Sequence, residues 1–135
     1  MESKITKIVI KTQSGYGPAE NAYNDKMVVT NDSVSYEYKP FLETEKNPMV
    51  KWSYKPTQET YQDLYQKIGK VAESYFNKQF DYCVMDVGVT GITIVYENGK
   101  KKSENFCCFE SEFKELFLLL DRLIPVNRLY PDKKG

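Results

Sequence analysis

Apolar residues recur along the chain in two periods, and each switch between them marks a new element. Residues 4–12 alternate around Ile8 and Ile10, with Val9 completing a short apolar run; this predicts a first strand lying inside a sheet. The pattern breaks at Ser14-Gly15-Tyr16-Gly17-Pro18, opening a loop expected to reach about Asp25. Residues 26–30 and 33–39 flank Asn31-Asp32. A two-residue turn there would pair Val29 with Val34 and Met27 with Tyr36 on one face. Pro40 ends that hairpin, residues 43–47 form a polar connector, and Val50, Trp52 and Tyr54 alternate as a further strand before Pro56.

The period then changes. Tyr61, Leu64, Tyr65, Ile68, Val71, Ala72, Tyr75 and Phe76 fall on one stripe of a helix, with Thr57 as the expected cap and Glu59 near its positive end. Asn77 and Lys78 are expected to end it. Gly69 lies at the edge of the stripe, where glycine costs about 1 kcal/mol, so a close approach to the sheet is expected. Residues 83–87 predict a short strand or loop. Next comes a hairpin from Gly91 around Asn98-Gly99 to Phe109. A two-residue turn would set Ile92 beside Asn105, whereas a three-residue turn with a bulge would set Ile92 beside Phe106. Burial of a whole apolar face outweighs turn preference, so the bulged register is expected. Residues 111–124 form the last helix, with Phe113, Leu116, Phe117, Leu120, Leu123 and Ile124 on one stripe. At about 2 kcal/mol per buried side chain, that stripe contributes on the order of 10 kcal/mol gross.

Strands followed by a helix, twice over and without βαβ alternation, predict an α+β fold. Its expected form is an antiparallel sheet of five to seven strands with two helices packed on one face. The length predicts a single domain over residues 1–135, with residues 130–135 as a frayed tail.

Composition narrows the chemistry. There is no histidine, which removes imidazole bases, Ser-His-Asp and Cys-His mechanisms and His-containing zinc sites. Cys83, Cys107 and Cys108 lack ligand spacing, and neighbours on a strand point to opposite faces, so no metal and no cofactor is expected. They are expected to be reduced thiols of a cytoplasmic protein, with a redox role for them the lesser alternative. Lys plus Arg equals Asp plus Glu at 19 each, which offers no overall electrostatic footprint for nucleic acid or an anionic membrane. The apolar run at Ile8-Val9-Ile10 is too short for a signal peptide, and no stretch is long enough to span a bilayer.

Candidate functional residues are few. Tyr16 and Tyr23 fall in the loop after the first strand, within a chain holding 11 tyrosines. Either they form, together with the open sheet face, a binding surface for a protein partner, or they fold back over the sheet edge. The Gly15–Gly17 pair lacks the third glycine and the helix of a phosphate cradle. Asp86, between Asp81-Tyr82-Cys83 and Gly88, could serve a small-ligand or enzymatic pocket or simply satisfy a turn. Lys100-Lys101-Lys102 is most simply a solvated hairpin tip. Leu118 lies about 140° around the last helix from Phe113, which suggests a homodimer through that outer face unless Val126, Leu129 and Tyr130 cover it.

Lys4-Ile5-Thr6-Lys7-Ile8-Val9-Ile10, Val34-Ser35-Tyr36-Glu37-Tyr38, the hairpin from Gly91 to Lys101 and the helix from Phe113 to Pro125 resemble one group of proteins. These are small uncharacterised bacterial proteins, domains of unknown function built as strands, helix, hairpin and helix. The resemblance covers residues 4–125 and implies the architecture; it carries no catalytic motif and implies no activity.

Overall fold

A computed structural model describes residues 4–13, 22–45, 48–57, 59–76, 89–106 and 113–123. Six strands form one antiparallel sheet: β1 (Ile5–Gln13), β2 (Tyr23–Thr30), β3 (Val34–Pro40), β4 (Val50–Tyr54), β5 (Val89–Tyr96) and β6 (Lys101–Phe106). Helix α1 (Tyr61–Tyr75) follows β4, and α2 (Lys114–Asp121) follows β6. The strand order is β4-β3-β2-β1-β5-β6. The first four strands form a meander; after α1 the chain returns to pair β5 with the free side of β1. This is the predicted α+β architecture, with the first strand inside the sheet.

The two-residue turn at Asn31-Asp32 sets the predicted pairs Val29 with Val34 and Met27 with Tyr36. The Thr30 hydroxyl organises this turn, accepting hydrogen bonds from the Asp32 and Ser33 backbone amides at 3.3 and 3.0 Å. The β5–β6 hairpin departs from expectation. Its turn holds three residues with Gly99 at φ +87, the left-handed conformation a bulged turn needs. Yet Ile92 faces Glu104, and Phe106 faces Thr90. The turn closes between Tyr96 and Lys100, where the Tyr96 amide donates to the Lys100 carbonyl at 2.9 Å. The register is therefore two residues from the expected one, and that even shift keeps Phe106 on the covered face.

Both helices lie on one face of the sheet. Ile8, Ile10, Met27, Val29, Val34, Tyr36, Trp52, Ile92 and Ile94 point into the layer beneath them, where Ile68, Ala72, Phe113, Leu116, Leu120 and Leu123 meet them. Tyr75 and Phe113 pack with ring centres 4.8 Å apart, and Phe106 meets Phe113 at 5.6 Å, so aromatic rings weld α1, α2 and β6. Gly69 sits against the sheet as expected: a Cβ there would fall 2.9 Å from Ile5 Cδ1.

Much of the tyrosine load is explained by this layer. Burying a phenol ring is favourable only if its hydroxyl finds a partner, and here the partner is usually on another element. Tyr65 donates to the Ile5 carbonyl at 2.8 Å, Tyr96 to Glu73 Oε2 at 2.6 Å and Tyr36 to Asp25 Oδ2 at 2.9 Å. Tyr61 donates to the Thr30 carbonyl and Tyr54 to the Leu123 carbonyl. Burial raises the pKa of Tyr54, Tyr61 and Tyr65, the last to about 12.

Three boundaries differ from the sequence reading. Helix α1 begins at Tyr61 after Thr60, not at a Thr57 cap, and Thr60 makes no side-chain cap. Its start is set by docking: Tyr61 reaches Thr30, and the Gln62 side-chain amide donates to the Asn31 carbonyl at 2.7 Å. Helix α2 is described from Lys114 to Asp121, with Phe113 preceding it at φ −109, ψ 16. Strand β2 begins at Tyr23, so that residue belongs to the sheet and not to the loop.

Candidate binding surface

Alternation on six strands gives the sheet a second face, and neither α1 nor α2 covers it. Read through the register, one row of this face crosses every strand: Lys51, Glu37, Lys26, Lys11, Gly91 and Asn105. Neighbouring rows bring Gln13, Asn24 and Lys39 on one side and Val9, Val28, Ser35 and Thr93 on the other. The row holds a depression of about 450 Å³ lined by Lys11, Gln13, Asn24, Lys26, Glu37, Lys39, Val89, Gly91 and Asn105, with Thr12 and Asp25 also at its border.

Gly91 and Asn105 form one side of the depression. A β-strand interior disfavours glycine because it packs nothing and orders at high entropic cost. Here the Asn105 side chain occupies the space a side chain at 91 would need, with Oδ1 2.6 Å from the position of such a Cβ. The glycine thus lets the Asn105 side chain lie across β5 toward Lys11.

The electrostatics of this face are uneven. Its strand positions carry Lys7, Lys11, Lys26, Lys39, Lys51 and Lys101 against Glu37. Lys39 Nζ lies 2.9 Å from Glu37 Oε1. That hydrogen bond holds the Glu37 carboxyl below its ordinary pKa against a small opposing effect of burial, and Lys51 and Lys26 add to the lowering. Lys11 and Lys26 stand directly opposite each other on adjacent strands, a like-charge pairing that destabilises a sheet. The chain has zero net charge, so a basic surplus here is balanced by an acidic surplus elsewhere.

Of the residues singled out in the sequence, Tyr23 lies away from this surface. Tyr23 is half-buried on the covered face, its ring 5.6 Å from that of Tyr38 and its backbone paired with Pro40. Tyr16, Asp86, Cys83, Cys107 and Cys108 lie outside the described residues. Asp25, expected at a loop end, is instead a buried β2 residue beside Thr12, and its carboxylate accepts the Tyr36 hydroxyl. Among the described residues, no group of three or more Cys, Asp or Glu is placed to hold a metal ion. No described helix is long and apolar enough to cross a membrane.

The lysine row itself was not singled out in the sequence. Its signal is present as the polar half of each alternating strand, but which lysines become neighbours depends on five registers at once. No family model matches this chain, and no curated protein shows significant similarity to it.

Proposed function

We propose that the protein is a cytoplasmic binding module whose working surface is the open face of the sheet. The observation that carries this reading is the row from Lys51 to Asn105, with its depression between Glu37 and Asn105, built at the expense of local stability. Gly91 inside a strand and Lys11 opposite Lys26 both weaken the sheet, and neither serves the core on the far side. Positions that break local rules of stability are where functional sites are expected. Asn, Gln, Ser and Thr side chains around the lysines supply further hydrogen-bonding groups for recognition.

Site-specific photocrosslinking tests the reading. A crosslinker at Ser35, on the open face, should capture a partner from an extract of the source cell. One at Gln66, on the exposed side of α1, should not. Capture at Gln66 and none at Ser35 would move the working surface to the helices.

A homodimer through α2 is the second reading. It is favoured by Leu118, which is 56% exposed on a helix whose opposite side is fully buried at Leu116 and Leu120.

A further inference from the structure

The open-face reading leaves the partner unnamed, and the order of charges across the strands narrows it. Read from β1 to β4, the row runs Lys11, Lys26, Glu37, Lys51. Adjacent strands lie about 4.8 Å apart, so these four positions span about 14 Å, roughly the reach of four or five extended residues. Lys26 and Lys11 repel each other across one strand spacing. An anion seated over them relieves that repulsion, which gives the bound state an electrostatic gain that the free protein lacks.

We propose that this row binds an extended acidic segment of a partner protein, with carboxylates over Lys11, Lys26 and Lys51 and a hydrogen-bond donor over Glu37. The proposal rests on the open face being the working surface. In an extended segment, side chains on one side recur every 6–7 Å or so, which long, flexible lysine side chains can follow. Glu37 decides between classes of polyanion. Even with Lys39 bonded to it, Glu37 interrupts the run of positive charge, which suits a peptide with backbone N–H groups between its carboxylates better than a nucleic-acid backbone that is anionic at every repeat. Among the described strand residues, no aromatic ring faces outward as a stacking platform. Tyr36, Tyr38, Trp52 and Tyr96 all turn to the covered face, so none of these rings can hold a base on the open one. Beside Lys11, the Asn105 side chain lies over Gly91 and offers the segment a neutral hydrogen-bonding group.

The test uses the full chain, labelled for amide NMR, and three probes of about ten residues each. One alternates glutamate with serine, one alternates glutamine with serine, and one is single-stranded DNA. The acidic peptide should shift amides of Lys11, Lys26, Glu37 and Lys51, with an affinity that falls as salt rises. The glutamine peptide should bind at least about tenfold more weakly. Lys26→Glu should cost about tenfold in affinity for the acidic peptide. Lys26→Gln, which keeps a neutral polar side chain at this exposed site, should cost less, and thermal melts confirm that both variants fold. Equal binding of the acidic and glutamine peptides overturns the charge assignment. Tighter binding of DNA than of the acidic peptide overturns the partner class. If a partner crosslinks at Ser35 while acidic peptide leaves the lysine row unshifted, the open face survives as the surface and the acidic segment does not. Failure to crosslink at Ser35 removes both.

Discussion

Gly69 of α1 and Ile5 of β1 meet so closely that a Cβ on the glycine would fall 2.9 Å from the Ile5 Cδ1 atom. That atom is the far end of a half-buried side chain, and it can give way at modest cost. Helix propensity favours Ala over Gly by about 1 kcal/mol. Gly69→Ala should therefore lie near neutral, the propensity gain offset by the displaced methyl. In an Ile5→Val background the contact is gone, and Gly69→Ala should stabilise by about 0.5–1 kcal/mol. Denaturant midpoints of the four-member cycle measure this; simple additivity would show that Ile5 does not determine the glycine.

Leu120 is 1% exposed at the centre of the α2 stripe. Leu120→Ala should lower the unfolding free energy by about 2–5 kcal/mol, through lost transfer energy and the cavity left behind. Urea titration reads the value. A loss below about 0.5 kcal/mol, the scale of ordinary surface changes, would contradict the orientation of α2.

Tyr23, which the sequence pattern places either on a binding loop or folded over the sheet edge, packs its ring against Tyr38 at 5.6 Å. Tyr23→Ser should cost about 1–2 kcal/mol, from the ring pair and the apolar area it covers. If chemical denaturation shows no loss, the ring faces outward and is free to contact a partner. Combining it with Tyr16→Ser then asks whether capture of that partner depends on the tyrosine pair.

Stability should fall in alkali. The Tyr65 hydroxyl ionises near 10 in an unfolded chain, and burial raises it to about 12 in the fold. Over that interval the unfolded chain has lost a proton that the native one keeps, so the native state weakens as pH rises. The contribution is fully present below about pH 10 and is lost as pH passes through about 12. Tyr54 and Tyr61, also raised by burial, act in the same direction. Denaturant midpoints followed through this window should drop less steeply in Tyr65→Phe than in the parent. Parallel slopes would show that Tyr65 is not shielded.

Leu118 provides the test of self-association. If the protein pairs through α2, Leu118→Glu should yield a folded monomer by light scattering where the parent scatters as a dimer. A parent already monomeric at high micromolar concentration excludes pairing through Leu118.

Local pattern was enough to read most of the fold from the sequence. The β2–β3 pairing followed from an apolar alternation and a two-residue turn, because both constraints lie within a few residues of each other. The buried stripe of α1 followed from its period, and Gly69 announced its contact with the sheet by the cost of glycine in a helix. Where two local rules competed, at Asn98-Gly99, the face was predicted correctly and the partner was not. Burial selects even shifts of register but cannot choose between Glu104 and Phe106 as the residue opposite Ile92. Tyr23 and Asp25 were misplaced for a related reason: their strand starts where a turn-rich sequence still looks like a loop, and only pairing with β1 and β3 extends it. The lysine row belongs wholly to tertiary structure. Lys11, Lys26, Glu37 and Lys51 lie on four different strands, and each pairing register must be set before they become neighbours. Period-two alternation shows which residues leave the core, but only the assembled sheet decides what they leave it beside.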